Sequence, residues 1–352
     1  MTRTARAATR DGFPHARSGF EFLRDDLPFA KHRSDAPCLS IGLPVHDGER
    51  FLEATLDGLL SQTFEDFELI VADNASSDAT EDICRAYAVR DRRIRYIRRP
   101  ANAGVLANFN LTFEQSRGRY FKWAAADDIV RPEFVARCVG ILESDPGIVL
   151  CHSNTEIIDE HDVVVGSYRY RSGHASGVSP SSRFNDVLRE DRWCFALFGV
   201  IREDALRTTR LLAGHVGSDR SLLAELALRG RFGIVADDLF RSRDHPARAV
   251  RRFPSHRLRA EYENPALARR RLLPHWRIFG EYARGVRRAE LPLSERARCY
   301  AALARWLGRH HNWARLAVDP VVALAPAMEP ALIRLTHSDR RWLTERLRRI
   351  RR

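Results

Sequence analysis

The chain has 352 residues, 44% hydrophobic and 30% charged, enough for a large core arranged as one big domain with additions or as two modest ones. A net charge of +12 implies affinity for something anionic, whether nucleic acid, a membrane surface or a phosphorylated ligand, although only Lys31 and Lys122 are lysines and coding bias explains an arginine excess as readily. No stretch approaches the roughly 18 uninterrupted apolar residues of a spanning helix, and the segment 314–335 is broken by Pro320, Pro326 and Pro330. The six cysteines are scattered without a C-x-x-C pair and the N-terminus has no apolar leader core, which together predict a reduced, cytoplasmic protein.

Residues 1–36 mix Arg, Gly, Pro, Ser and Asp without a period and read as a flexible arm. Order begins with a buried strand at 38–45, followed by a helix over 49–62 whose Phe51, Leu52, Leu56, Leu59 and Leu60 form one apolar face. The pattern repeats as a strand at 67–72, a polar turn from Asp73 to Ser77, and a helix to residue 90 for which Asp78 and Glu81 have capping-box spacing. A strand at 94–97, a helix at 104–115, a strand at 120–124 and a helix from Pro132 to 143 continue the alternation, which requires parallel crossovers in a doubly wound sheet. Beyond Asp145 the expected elements are strands at 148–152, 155–158 and 162–165, a Gly/Ser-rich loop at 169–180, a strand at 195–201, a helix at 218–229 and a strand at 232–239. From 254 onward the chain reads as helical and arginine-rich.

Three strand ends carry ligand-competent residues: Pro44 to Asp47, Asp73 with Asn74, and Asp127 with Asp128. In a doubly wound sheet those ends share one edge, the ligand-binding edge of open α/β folds. A carboxylate at 73 can accept hydrogen bonds from a base or ribose, and acids at 127 and 128 can hold a hard cation against a diphosphate. The alternative is that Asp127 and Asp128 merely open the next turn. Neither G-x-G-x-x-G nor G-x-x-x-x-G-K-[ST] occurs at a strand-to-helix turn, which disfavours a dinucleotide dehydrogenase or a P-loop enzyme.

The ordered set Ile41-Gly42-Leu43-Pro44-Val45-His46-Asp47-Gly48, Val71-Ala72-Asp73-Asn74-Ala75-Ser76-Ser77-Asp78, Asn102-Ala103-Gly104 and Asp127-Asp128 resembles the family 2 glycosyltransferases of the GT-A fold, over about residues 38–245. The resemblance implies an α/β, mostly parallel GT-A domain at 37–250 with a helical extension at 251–352. It also implies an inverting transferase that uses a nucleotide-diphosphate sugar and a divalent metal, Mg²⁺ or Mn²⁺. Donor-binding roles fall on Pro44, Val45, His46, Asp73, Asn74, Asn102, Asp127 and Arg243, metal-ligating roles on Asp127, Asp128 and His245, and the role of catalytic base on Asp219 in Gly217-Ser218-Asp219-Arg220. Asp219 also suits an N-terminal cap, and His245 before Pro246 also suits a surface loop. Trp193 and Phe195 can stack on a sugar ring, although aromatics before an apolar strand also suit a core. Where the family usually reads Asp-x-Asp-Asp, Ala125 replaces the first acid, which puts ribose contacts in doubt and keeps open a binding or scaffold protein that has lost the reaction.

The acceptor is expected to be a glycan, a lipid-linked molecule or a small molecule, chosen by loops around 166–193 and by the C-terminal helices. Leu343, Leu347 and Ile350 among arginines and Trp342 predict a basic amphipathic helix that contacts an anionic membrane surface. Nucleic acid is not an expected partner, because no basic segment interleaves aromatics as a binding motif.

Overall fold

Runs rich in Ile, Leu and Val that break at Asp, Asn or Gly fold as buried strands whose polar ends emerge on one edge. In the computed structural model, which describes residues 36–332 apart from 172, 190–192, 254, 268–271, 326–327 and 330–331, β1 (Leu39–Val45), β2 (Phe67–Asp73), β3 (Ile94–Arg98) and β4 (Tyr120–Trp123) form a parallel set in the order β3-β2-β1-β4. Val45 lies opposite Asp73 in the register, so β1 and β2 end together. The crossovers are α1 (Leu52–Leu60), α2 (Thr80–Arg90) and α3 (Val105–Glu114). The expected arm at 1–36 and the basic helix at 337–352 lie outside the described residues, save for residue 36.

The sheet continues through β8 (Val200–Arg202), β6 (Ile148–Ile158) and β9 (Arg231–Arg243) to the short β5 (Ile129–Val130), with β7 (Val164–Tyr168) beside β6. This half is mixed: β6 runs parallel to β9 but antiparallel to β7 and β8, and β5 is antiparallel to β9. The α/β GT-A architecture expected from the sequence is therefore present. The two strands expected at 148–152 and 155–158 are one strand, β6. The strand expected at 195–201 is a 3-10 turn over Phe195–Phe198 followed by β8, because a short apolar run does not reveal its period.

α4 (Phe134–Ser144) covers the sheet, while α5 (Pro180–Arg189), a short α6 (Glu203–Arg207) and α7 (Ser218–Arg229) complete the first helical layer. The capping box expected at α2 does not form. Asp78 accepts from the Thr80 and Glu49 N–H groups, and Glu81 pairs instead with Arg85 and Arg98.

Beyond β9 come a short α8 (Ala249–Arg252), α9 (His256–Glu263), α10 (Pro274–Arg288), α11 (Leu293–Leu307) and α12 (His310–Leu324), which continues through Pro320 where a break was expected. α10 packs on α7 and α11 on α5, and Tyr282, Val286, Leu303 and Trp306 join the same hydrophobic core as the strands. No helix among the described residues is long and apolar enough to cross a membrane.

Lys122 is the exception within β4. It is fully buried, donates to the Trp123 and Phe198 carbonyls, and lies 4.7 Å from the centre of the Phe134 ring. Burial pushes its ammonium down to about 8.

Candidate functional site

The register of the parallel strands brings the first three motifs together. Asn74 donates from Nδ2 to Asn102 Oδ1 at 2.8 Å and accepts the Ala103 N–H at 3.0 Å, while Asn102 Nδ2 lies 2.9 Å from His46 Nε2. One hydrogen-bonded chain thus joins the ends of β1 and β2 to the turn after β3. Pro44 and Val45, expected to line a pocket, are instead buried in β1, with the Val45 carbonyl taken by the Asn74 N–H. Of that segment His46 and Asp47 are exposed.

Asp73 is fully buried at the end of β2. Its Oδ1 accepts from the Ser76 N–H at 2.8 Å and the Ser76 hydroxyl at 2.6 Å, and its Oδ2 accepts from the Tyr96 hydroxyl at 2.7 Å and from Arg98. Burial opposes its ionisation, but the bonds from Ser76, Tyr96 and Arg98 outweigh it and hold the carboxyl below the usual carboxylate range. The carboxylate expected to meet a base is therefore already saturated. Tyr96 and Arg98 were not singled out from the sequence, although their spacing of two on β3 places both on one face toward β2.

The Asp-Asp pair is positioned by β5. Ile129 pairs with Arg241 of β9, and extending that antiparallel register by two residues brings Arg243 opposite Asp127. The two carboxylates diverge as the turn at Ala126–Asp127 leads into β5. Asp127 is partly exposed, and its Oδ2 lies 3.0 Å from His245 Nε2. Asp128 turns inward: its Oδ1 accepts the Arg243 N–H at 2.8 Å, and its carbonyl accepts from the Thr55 hydroxyl at 2.9 Å. The expected three-ligand centre of Asp127, Asp128 and His245 is thus corrected to a facing pair, Asp127 and His245. Among the described residues no group of three His, Cys, Asp or Glu is arranged for a metal.

Burial and then the neighbouring Asp127 charge push the Asp128 carboxyl up to about 7, against smaller lowering contributions from Arg248, the Arg243 N–H and Ser242. Its folded value lies above its ordinary one, so the fold favours the protonated form and loses stability as pH rises from about 4 to about 7. Asp128→Asn removes that dependence. In metal-free buffer the variant is expected to match wild type near pH 4 and to exceed it by about 2–4 kcal/mol above pH 7, read from urea unfolding across the range. A constant difference at all pH values would refute the assignment.

Arg243, expected to clamp phosphate, is 1% exposed and faces into the protein. Its Nε donates to the Asp127 carbonyl at 2.9 Å and its Nη1 to the Asp159 carbonyl at 3.0 Å, its Nη2 pairs with Asp162 at 2.6 Å, and the guanidinium lies 4.5 Å from the Phe51 ring centre. It fixes the Asp127 backbone rather than reaching a ligand. Arg243→Met is expected to cost about 3–5 kcal/mol in denaturant unfolding, because two carbonyls and a carboxylate lose their donor. Phe51 also edges against the His245 ring at 4.8 Å, a contact with no signal in the sequence beyond its place on the apolar face of α1.

Asp219 sits in the first turn of α7. Gly217, at φ +83°, occupies the N-cap, so neither Ser218 nor Asp219 is the cap, and the Asp219 Oδ1 accepts the Arg220 N–H at 2.8 Å. The carboxylate remains partly exposed at the positive end of the helix dipole. It adjoins Cys194, whose thiol is pushed far up by burial and then by the Asp219 charge. Trp193 stacks on Phe195 at 5.1 Å with the Arg248 guanidinium 5.9 Å from its ring centre, so the aromatic pair packs beside the site and against itself.

The model of the glycosyl transferase family 2 matches residues 40–209. The chain is 27% identical over 139 residues to an uncharacterized glycosyltransferase of Haemophilus influenzae, covering 40% of this chain and 43% of that protein. It is 31% identical over 153 residues to the uncharacterized glycosyltransferase EpsJ of Bacillus subtilis, covering 43% of this chain and 40% of that protein. These matches span less than half the length of either relative. Among solved structures, S. aureus TarS 1-349 superposes with a TM-score of 0.55 and 15% identity over 86% of this chain and 88% of that one. The same protein in complex with UDP superposes with a TM-score of 0.55 at 14% identity, over the same shares. At such identities the likeness is one of fold. Residues 40–209 thus match the glycosyl transferase family 2 model, and the sheet that they help to build has the GT-A fold.

Proposed function

We propose that the protein is an inverting glycosyltransferase that moves a sugar from a nucleotide-diphosphate donor to an acceptor hydroxyl. The observation that carries this is the Asp127–His245 pair, 3.0 Å apart at the same sheet edge as the His46–Asn102–Asn74 chain. TarS, which shares the fold, has been crystallised with UDP, and that supports a nucleotide-linked donor.

The donor set fits a divalent ion such as Mg²⁺ or Mn²⁺. One carboxylate oxygen and one imidazole nitrogen suffice where diphosphate oxygens and waters complete the shell. When bound, such an ion would supply charge neutralisation to the departing diphosphate. His46, Asn74 and Asn102 bind and orient the nucleotide side, and Asp73 holds the turn through Ser76, Tyr96 and Arg98. Asp219 accepts the proton of the acceptor hydroxyl as its oxygen bonds to the anomeric carbon and the bond from that carbon to the diphosphate oxygen breaks, releasing the nucleoside diphosphate. Release of nucleoside diphosphate from a panel of UDP-, GDP- and dTDP-sugars with Mn²⁺ tests the proposal. Tight nucleotide binding with no release in the presence of any glycoside acceptor would favour the binding or scaffold alternative raised by Ala125.

The acceptor is a glycan, a lipid-linked molecule or a small molecule, and the basic C-terminal segment is read as a peripheral contact with the cytoplasmic membrane face. Deleting residues 337–352 is then expected to abolish flotation with anionic liposomes; unchanged flotation would discard the contact.

A further inference from the structure

Two turns without side chains hold the end of α9 against the site. A Cβ on Gly104, at φ +87°, would stand 2.6 Å from Pro265 Cδ and 2.7 Å from the Glu263 carbonyl oxygen. A Cβ on Gly214, at φ +33°, would meet Asn264 Nδ2 at 3.2 Å. Gly104 closes the Asn102 turn and Gly214 precedes α7, so residues 263–265 are wedged between the nucleotide-side turn and the helix that bears Asp219. A side chain at Gly104 would drive this wedge outward, whereas one at Gly214 would press only on the tip of the Asn264 side chain.

The wedge carries a carboxyl that the fold does not use. Glu263 Oε2 is buried and meets no hydrogen-bond partner among the described residues. The charges acting on Glu263 are Asp219 from α7 and Arg259 from its own helix, and the adjacent Tyr262 feels the charge of Asp127. The end of α9 therefore lies within range of both charges, Glu263 of Asp219 and Tyr262 of Asp127. Burial and then the Asp219 charge push the Glu263 carboxyl up to about 8, which leaves it at neutral pH as an acid with one O–H to donate and a carbonyl oxygen to accept. A structural role would have given this buried group a partner. Beside a base that must meet a hydroxyl, its chemistry matches a second hydroxyl of the same molecule.

Building on the reading of Asp219 as the base, we propose that Glu263 is the positioning residue of the acceptor subsite, hydrogen-bonding one hydroxyl of an uncharged sugar ring while another hydroxyl is presented to Asp219. Glu263 exchanges no covalent bond in the reaction. It sets where the ring sits, and it does so from a helix beyond the segment that the family model matches.

The test is binding to the full chain by saturation-transfer NMR and calorimetry. The probes are methyl glycosides of glucose, galactose, mannose and N-acetylglucosamine, with UDP, GDP and UDP-glucose titrated in parallel. At least one glycoside is expected to bind wild type, to weaken about tenfold in E263A, the loss of one hydrogen bond, and to recover in E263Q, which keeps both hydrogen-bonding functions. E263L, which keeps the volume without the polar atoms, is expected to behave as E263A and serves if the alanine variant unfolds. The proposal is overturned if no glycoside binds wild type, if E263A and E263L bind as wild type does, or if E263Q falls as far as they do. It is also overturned if UDP-glucose weakens with the glycosides while UDP does not, which would assign Glu263 to the donor sugar. UDP and GDP report on the transferase reading separately: failure of both to bind sinks that reading, whatever the glycosides do.

Discussion

Asp219→Asn is expected to lower the rate of sugar transfer by about 10²–10⁴-fold, the usual contribution of a positioned general base, while nucleotide-diphosphate affinity stays within about twofold. Asn has nearly the same shape and its side-chain oxygen can still accept the Arg220 N–H, so the first turn of α7 is preserved and a change in rate reports on proton transfer rather than folding. Since Gly217 is the N-cap, the substitution removes no helix cap, and the melting temperature is expected to stay close to that of wild type. Single-turnover assays with saturating donor check the rate, and calorimetry checks the affinity. An unchanged rate would remove Asp219 from the mechanism. An equal fall in nucleotide affinity would move it to the donor side.

Asp127→Ala is expected to weaken Mn²⁺-dependent donor binding by about 100-fold and to leave binding in EDTA unchanged. Asp127 is the carboxylate of the pair that remains partly exposed, and its backbone is fixed by Arg243 through the carbonyl rather than the side chain. Truncation therefore takes away the charge without loosening the turn. His245→Ala is expected to act in the same direction with a smaller effect, because a neutral imidazole contributes less to a hard cation than a carboxylate does. Equal donor affinity for wild type and Asp127→Ala in Mn²⁺ would discard the pair as a metal seat.

The parallel half of the sheet was legible because each strand is built on a short run of large apolar residues, and β1 and β2 give way to polar ones, from Val45 to His46 and from Ala72 to Asp73. What lay beyond the reach of the sequence were contacts made by register. Asp127 and Asp128 look equivalent in the chain, yet β5 pairing with β9 sends one toward His245 and the other toward the Arg243 N–H. Arg243 reads as a phosphate ligand until β9 is seen to carry it inward. Asp73 reads as an open acceptor until Tyr96 and Arg98 are brought across from β3. α5 was hidden because its buried face includes Arg183, which satisfies itself on the Gly177, Val178 and Ala227 carbonyls and breaks the apolar pattern. Glu263 carried no signal at all, since its place depends on two distant glycines.

The seam between α7 and α10 bears on how such chains can be recombined. Arg288 of α10 pairs with Glu225 of α7 and lies 3.8 Å from Glu281, which also pairs with Arg284 at 2.6 Å and with Arg210 at 3.3 Å, while Tyr282 and Val286 fill the gap beneath. A chimera cut at residue 250 would take the whole sheet and leave the helix that bears Asp219 without its outer wall, with Glu225 stripped of Arg288 and left only its ion pair with Arg229. A transplantable unit in this architecture would have to cross the boundary at 250 that the resemblance implies. α5, α7, α10 and α11 would have to travel together as one cassette, with the joints placed in the strands on either side.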